Sequence, residues 1–230
     1  MPVSIAENLK KIEGRIEEAA IRAGRDPRAV SLLAVTKTVD PVRIEEAIDA
    51  GVRFLGENRV QEAKEKIAAI GRKVAWHLIG HLQSNKARWA VSLFDMVHSV
   101  DSSRIAEALD HEAKKQGKQL PVLIQVNVGA DAHKFGIDTE RAVMLVRQVA
   151  AMEHLSVEGL MTIPPYFEDS ERTRPLYRRL REMSAEVASL QIPGAVMAHL
   201  SMGMSHDYEV AVEEGATWVR IGSAIFGERV

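Results

Sequence analysis

Apolar and polar positions along the chain follow two alternating patterns. Short runs that are apolar throughout, such as Leu32, Leu33, Ala34 and Val35, read as buried strands. Between them lie longer stretches with apolar residues three and four apart, which read as amphipathic helices. A helix is expected first, at about residues 3 to 24. Strand "SLLAVTK" then leads to helix "PVRIEEAIDAG", with Asp40 as N-cap, Pro41 at the first helical position and Gly51 just past the end. "RFLGEN" and "VQEAKEKIAAIG" follow, then "VAWHLIG" and "SNKARWAVSL", then "DMVHSV" and "SSRIAEALDHEAKKQG", capped by Asp101 or Ser102. "PVLIQVNV" is rich in β-branched residues and is the clearest strand of all. Helix "DTERAVMLVRQVAAM", strand "SVEGLMTI", helix "SERTRPLYRRLREMSAEVASL" and strand "AVMAHLS" come next. The pattern closes with helix "DYEVAVEEG", strand "TWVRIG" and a short helix near "SAIFGERV".

Eight strands separated by helices predict parallel pairing through right-handed crossovers. The expected fold is α/β, a closed (β/α)8 barrel with an extra N-terminal helix. An open doubly wound sheet is the alternative, but no Gly-x-Gly-x-x-Gly follows the first strand. No stretch rich in Pro, Gly or Ser interrupts the pattern, so one domain over residues 1–230 is expected.

Composition narrows the function. A net charge of -2 offers no basic face for nucleic acid or an anionic membrane surface, so neither is an expected partner. No apolar run approaches the roughly 20 residues that cross a bilayer. The N-terminus has mixed charge instead of a signal peptide's layout, and a cytoplasmic location is expected. Cysteine is absent, which removes disulfides, thiolate metal sites and thiol nucleophiles. No histidine pair has the helical i, i+4 ligand spacing of a zincin, since His77 and His81 flank a strand end, so no metal is expected. The basic helix "ERTRPLYRRLRE" mixes acids with arginines and reads as a solvated face.

In a barrel of this type chemistry gathers at the C-terminal strand ends. Those ends carry Thr36 and Lys37, then Glu57 and Asn58, then His77, Gly80 and His81, then His98 and Ser99 after strand four. Asn127 ends strand five, and Met161 and Thr162 end strand six. Ser201 to Ser205 are expected to follow strand seven, and Arg220, Gly222 and Ser223 to follow strand eight. Two small, hydroxyl-bearing loops after strands seven and eight, beside a helix start, suit a phosphate, because exposed N–H groups favour an anion. Lys37 has three readings: a solvated lysine, a counter-charge for the phosphate, or an amine that forms a Schiff base when its pKa is lowered. The residues alone leave these open.

The motifs "AVTKT", "FGENRVQEA", "WHLIGHLQSNKA", "HSVDS", "VLIQVNV", "KFGI", "GLMTI" and "HLSMGMSHDYEVAVEEGATWVRIGSAIFG", in that order, together resemble the pyridoxal 5′-phosphate (PLP) homeostasis family. That family shares its barrel with the N-terminal domain of alanine racemase. The resemblance implies PLP as cofactor, held as a Schiff base on Lys37. It also implies phosphate contacts from Ser201, Gly222 and Ser223, with Arg220 facing the pyridine nitrogen and Asn58, His77 and Met161 lining the pocket. Two departures appear: Ser223 stands where the family commonly has Thr, and Asp131 and His133 replace its usual Glu and Ser beside Lys134. Asn85 and Lys86 match a family motif that suggests PLP handling, although a helix N-terminal role accounts for Asn85 as well.

A cationic residue at the pyridine nitrogen discourages its protonation and weakens the ring as an electron sink. The function so implied is storage and delivery of PLP, to free amines or PLP-dependent apoenzymes, in vitamin B6 and amino-acid homeostasis. An alternative role for Arg220 is an ion pair with Glu57 or Glu228. The alternative function is a low-activity amino-acid racemase, which needs a second acid/base group opposite Lys37. Tyr166 and Tyr208 lie near strand ends six and seven, and Tyr166, in the loop "PPYFEDSERT", stays open as that group. The sequence ends just after strand eight, so racemase's second domain is not expected, and a monomer is. A Schiff-base aldolase on a phosphorylated sugar would also use a barrel lysine and a phosphate cup, but by fold-level analogy its lysine comes from later strands.

Overall fold

The computed structural model describes residues 4–131 and 134–227. Eight strands close into a parallel barrel in sequence order. They are β1 (Ser31–Val35), β2 (Phe54–Glu57), β3 (Ala75–Leu78), β4 (Met96–Val100), β5 (Leu120–Gln125), β6 (Leu155–Met161), β7 (Ala195–Met204) and β8 (Trp218–Ile221). Pairing of β1 with both β2 and β8 completes the ring. The helices are α1 (Ile5–Arg22), α2 (Pro41–Asp49), α3 (Val60–Ile70), α4 (Ala87–Leu93), α5 (Ser103–Lys115), α6 (Thr139–Ala150), α7 (Arg174–Ser189), α8 (Tyr208–Glu213) and α9 (Ser223–Phe226).

Local chemistry explains the boundaries. Asp40 caps α2 through the Arg43 amide with Pro41 behind it, and Gly51 follows at φ 113°, a conformation glycine adopts freely. Ser4 and Glu7 form a reciprocal capping box on α1. Ser102 holds the N-cap position of α5 without a side-chain cap bond. Two expected helices begin as short 3-10 turns, Ser84–Lys86 and Ser170–Thr173, before α4 and α7.

The strand limits differ from expectation in two places. His98 and Ser99 lie inside β4, and Ser201 to Met204 belong to β7. The β7–β8 register shifts between Ser201 and Met204. This bulge lets pairing continue through Ser201-Met202-Gly203-Met204, whose serine and glycine interrupt the apolar strand signal.

One large cluster fills the layer between the strands and the helices. Two small ones occupy the barrel interior: Leu33, Val35, Ile79 and Trp218 with Phe54, and Met96, Leu123 and Met161 with Ile163. A Cβ on Gly56 would meet Leu33 and Ile79, which places that face of β2 toward the interior. The next residue, Glu57, then faces the helices. No helix among the described residues is long and apolar enough to cross a membrane.

Candidate functional site

Strand alternation carries Leu33 and Val35 inward, and Thr36 still bonds to Gly56 as a strand residue would. Lys37, half-buried, is the next interior-side position, at the C-terminal end of the barrel. Asn58 follows β2, where its backbone presses on Gly80. A Cβ there would stand 2.3 Å from the Asn58 carbonyl, so the two loops can meet only at glycine. Met161 is fully buried in the interior wall with Met96 and Leu123.

A polar chain crosses the interior between the two apolar clusters. His77 Nδ1 lies 3.0 Å from His98 Nε2, and His98 Nδ1 lies 2.9 Å from Ser201 Oγ. Arg220 donates to Ser201 Oγ at 2.8 Å and to the Thr162 carbonyl at 2.8 Å. Ser201 then has its own proton for His98 Nδ1. A consistent assignment puts the His98 proton on Nε2, facing His77 Nδ1. Burial lowers the His77 pKa to about 4 and pushes His98 well below its ordinary value, with His77 and Arg220 adding to the second shift. Both imidazoles are therefore neutral near pH 7. Burial also lowers the Arg220 pKa, while Tyr177 and Asp207 oppose the effect. A guanidinium stays charged even so.

Arg220 does not pair with Glu57, which faces away and bonds Thr36 and Lys66. Glu228, the other candidate partner, lies outside the described residues, as does His133.

The two loops expected to form a cup do meet, through Ser205, the second hydroxyl of the loop after strand seven. Ser205 Oγ accepts from the Gly222 amide at 3.2 Å and the Ala224 amide at 3.4 Å. Ser223 is exposed beside them. Ser201 is instead engaged with Arg220 and His98. The sequence signal for Ser205 was the second hydroxyl of "HLSMGMS". Nothing in the sequence marked His98 as the link between His77 and Ser201.

Loops frame the opening. Lys134 donates to the Pro164 carbonyl at 2.5 Å, and Phe135 stacks on His81 with centroids 3.8 Å apart. The segment after β5 thus touches the loops after β3 and β6. Asn127 braces it through two bonds to the Asp131 backbone. Tyr166 is 76% exposed on the rim beside His206. Asn85 and Lys86 are exposed on the 3-10 turn before α4. Among the described residues, no three His, Asp or Glu side chains gather into a metal-binding group.

Known proteins resemble this chain in sequence and fold. The alanine racemase N-terminal domain model matches residues 7–230. The pyridoxal phosphate homeostasis protein of Aquifex aeolicus is 42% identical over 228 residues, covering 99% of each chain. The chain belongs to this family. The homeostasis protein of Escherichia coli K12 is also 42% identical, over 98% of this chain and 97% of its own. Among solved structures, PipY of Synechococcus elongatus with PLP bound superposes with a TM-score of 0.84 at 40% identity, covering 97% of this chain and 100% of that one. Family membership fits a barrel whose interior polar groups lead to strands seven and eight.

Proposed function

We propose that this chain binds PLP at the C-terminal end of the barrel and holds it reversibly on Lys37, as a store from which the cofactor is delivered. The strongest support is the PLP-bound PipY structure, at 40% identity over nearly the whole chain. Family membership alone leaves the attachment residue open. Lys37 is assigned because it is the half-buried amine on the interior side of a strand end.

The donor set fits the cofactor at both ends. Gly222 and Ala224 supply amides, and Ser205 and Ser223 supply hydroxyls, where an anionic tail would sit. Ser205 already satisfies those amides, so it surrenders or shares them when the anion arrives. Arg220, braced by Ser201 and the Thr162 carbonyl, is presented to the ring nitrogen. His77 and Met161 line the floor and wall, and Asn58 flanks Lys37 at the mouth. When bound, PLP supplies an aldehyde carbon to which a primary amine adds with loss of water, forming a C=N bond.

The electrostatics favour holding over turnover. A fixed guanidinium keeps the ring nitrogen unprotonated and limits the ring as an electron sink. Release is by transimination, in which an incoming amine displaces the Lys37 nitrogen and returns it as a free amine. Such an amine belongs to a small molecule or to a lysine of a PLP-dependent apoenzyme. We also propose that residues 1–230 act as one domain, as a monomer in the cytoplasm.

The test is transfer. Protein loaded with PLP and freed of excess is mixed with an apo-aminotransferase, and bound colour and regained activity are followed together. Loss of colour matched by restored activity is expected. Colour that stays on the protein, or sustained racemisation of L-amino acids by the protein alone, would overturn the carrier reading.

A further inference from the structure

Behind the barrel wall, on the face of β2 opposite Gly56, three charged side chains enclose the backbone on either side of Lys37. Glu57 is completely buried, and its Oε1 accepts from Thr36 Oγ1 at 2.6 Å and from Lys66 Nζ at 2.7 Å. Lys66 is itself buried, on the inner stripe of α3 with Ala63 and Ile70. Its ammonium also donates to the Thr36 carbonyl at 2.5 Å and to Glu62 Oε1 at 2.6 Å. An ammonium has three N–H donors, and all three are used here.

The same Glu62 oxygen accepts the Thr38 amide at 2.5 Å. Thr38 sits at φ 61°, a left-handed conformation that a β-branched residue rarely adopts without an external hold. Lys66 therefore grips residue 36 directly and residue 38 through Glu62. Lys37 lies between the two fixed points. A buried lysine whose only work was to anchor α3 would not need the Thr36 carbonyl, nor a carboxylate partner that also holds the Thr38 amide. Glu57 faces α3, and all three donors of Lys66 are spent within this cluster, on the face of β2 away from the barrel interior.

We propose that Lys66, with Glu57 and Glu62, is a positioning device that fixes residues 36 to 38 so that the Lys37 amine meets the cofactor aldehyde. The inference rests on the Lys37 reading above. Its effect falls on the covalent step, in which the amine adds to the aldehyde and water leaves, and not on phosphate anchoring at the far loops.

Two ligands separate these contributions: PLP, and pyridoxine 5′-phosphate, which has an alcohol in place of the aldehyde and cannot form the C=N bond. Wild type and Lys66→Met are titrated with both. The expected result is an apparent Kd for PLP raised about tenfold, with pyridoxine 5′-phosphate affinity changed by less than about twofold. Lys66→Met leaves Glu57 buried without its cation. If that variant does not fold, Lys66→Met combined with Glu57→Gln removes the charge pair together and carries the same expectation. Parallel weakening of both ligands, or unchanged PLP affinity, would overturn the positioning role. Failure of the underlying reading would look different: wild type would leave Lys37 unlabelled after borohydride treatment with PLP, whatever Lys66 does.

Discussion

At the residue scale, His77 shows how burial sets the chemistry of the interior. Its ring is held neutral between His98 and the aromatic edges of Phe54 and Trp218. Burial lowers its pKa to about 4, whereas the unfolded chain takes up the proton near the ordinary value of about 6.5. A depressed histidine contributes stability that is present above the unfolded pKa and lost as pH falls through the folded one. About 3 kcal/mol should therefore disappear between about pH 6.5 and about pH 4, with His98 acting in the same direction. Urea unfolding of wild type and His77→Gln at about pH 7.5 and about pH 4.5 measures this. The variant should lose distinctly less stability on acidification. An unchanged pH dependence would contradict the assignment of a neutral buried imidazole.

At the scale of elements, α1 answers a geometric problem. Each strand through β7 is followed by a helix of at least six residues, but β8 leads into α9, a single turn. The gap in the helical layer is filled from the other end of the chain. Leu9, Ile12 and Ile16 of α1 face inward, and Asn8 donates to the Ile225 carbonyl in α9 at 2.9 Å. Arg15 pairs with Glu209 and Arg22 with Glu213, tying α1 to α8, though exposed pairs of this kind contribute little. Apolar burial does the holding. Ile12→Ala should lower unfolding stability by about 2–4 kcal/mol in urea titrations. A loss below about 0.5 kcal/mol, within the scatter of neutral surface substitutions, would show that α1 is a peripheral addition.

The same elements show what the sequence makes legible. Strands buried on both faces are mostly apolar, so β1 and β5 stand out, and caps such as Asp40 mark helix starts. The continuation of β7 past Ser201 is hidden in the sequence, because it runs through a register shift with Gly203 at φ 91°, where a serine and a glycine break the apolar run. A sequence states which residues end a strand, not how registers slip. Lys66 was legible in principle: a lysine on the apolar stripe between Ala63 and Ile70 signals a buried partner. The role of His98 was not, since its partners His77 and Ser201 lie far away in the chain and meet only when the barrel closes.

At the scale of the whole molecule, closure of the ring sets the first strand, which leads into Lys37, against the last, which carries Arg220. β1 and β8 pair directly, with Leu33 opposite Arg220. Among the described residues, the interior then holds the Arg220 guanidinium, the neutral imidazoles of His77 and His98 with His199 nearby against Trp218, and an apolar lining, while the cluster of Glu57, Glu62 and Lys66 stays outside the wall. This division suits a site that grips an anionic aldehyde covalently at one point and leaves its ring weakly activated. The most direct measurement is peptide mass spectrometry of the protein mixed with PLP and reduced with borohydride, for wild type and Lys37→Ala. The account predicts one pyridoxyl adduct, on the peptide carrying Lys37, and none at that position or elsewhere in the variant. An adduct on another lysine, such as Lys86 or Lys134, with Lys37 unmodified in wild type would contradict it.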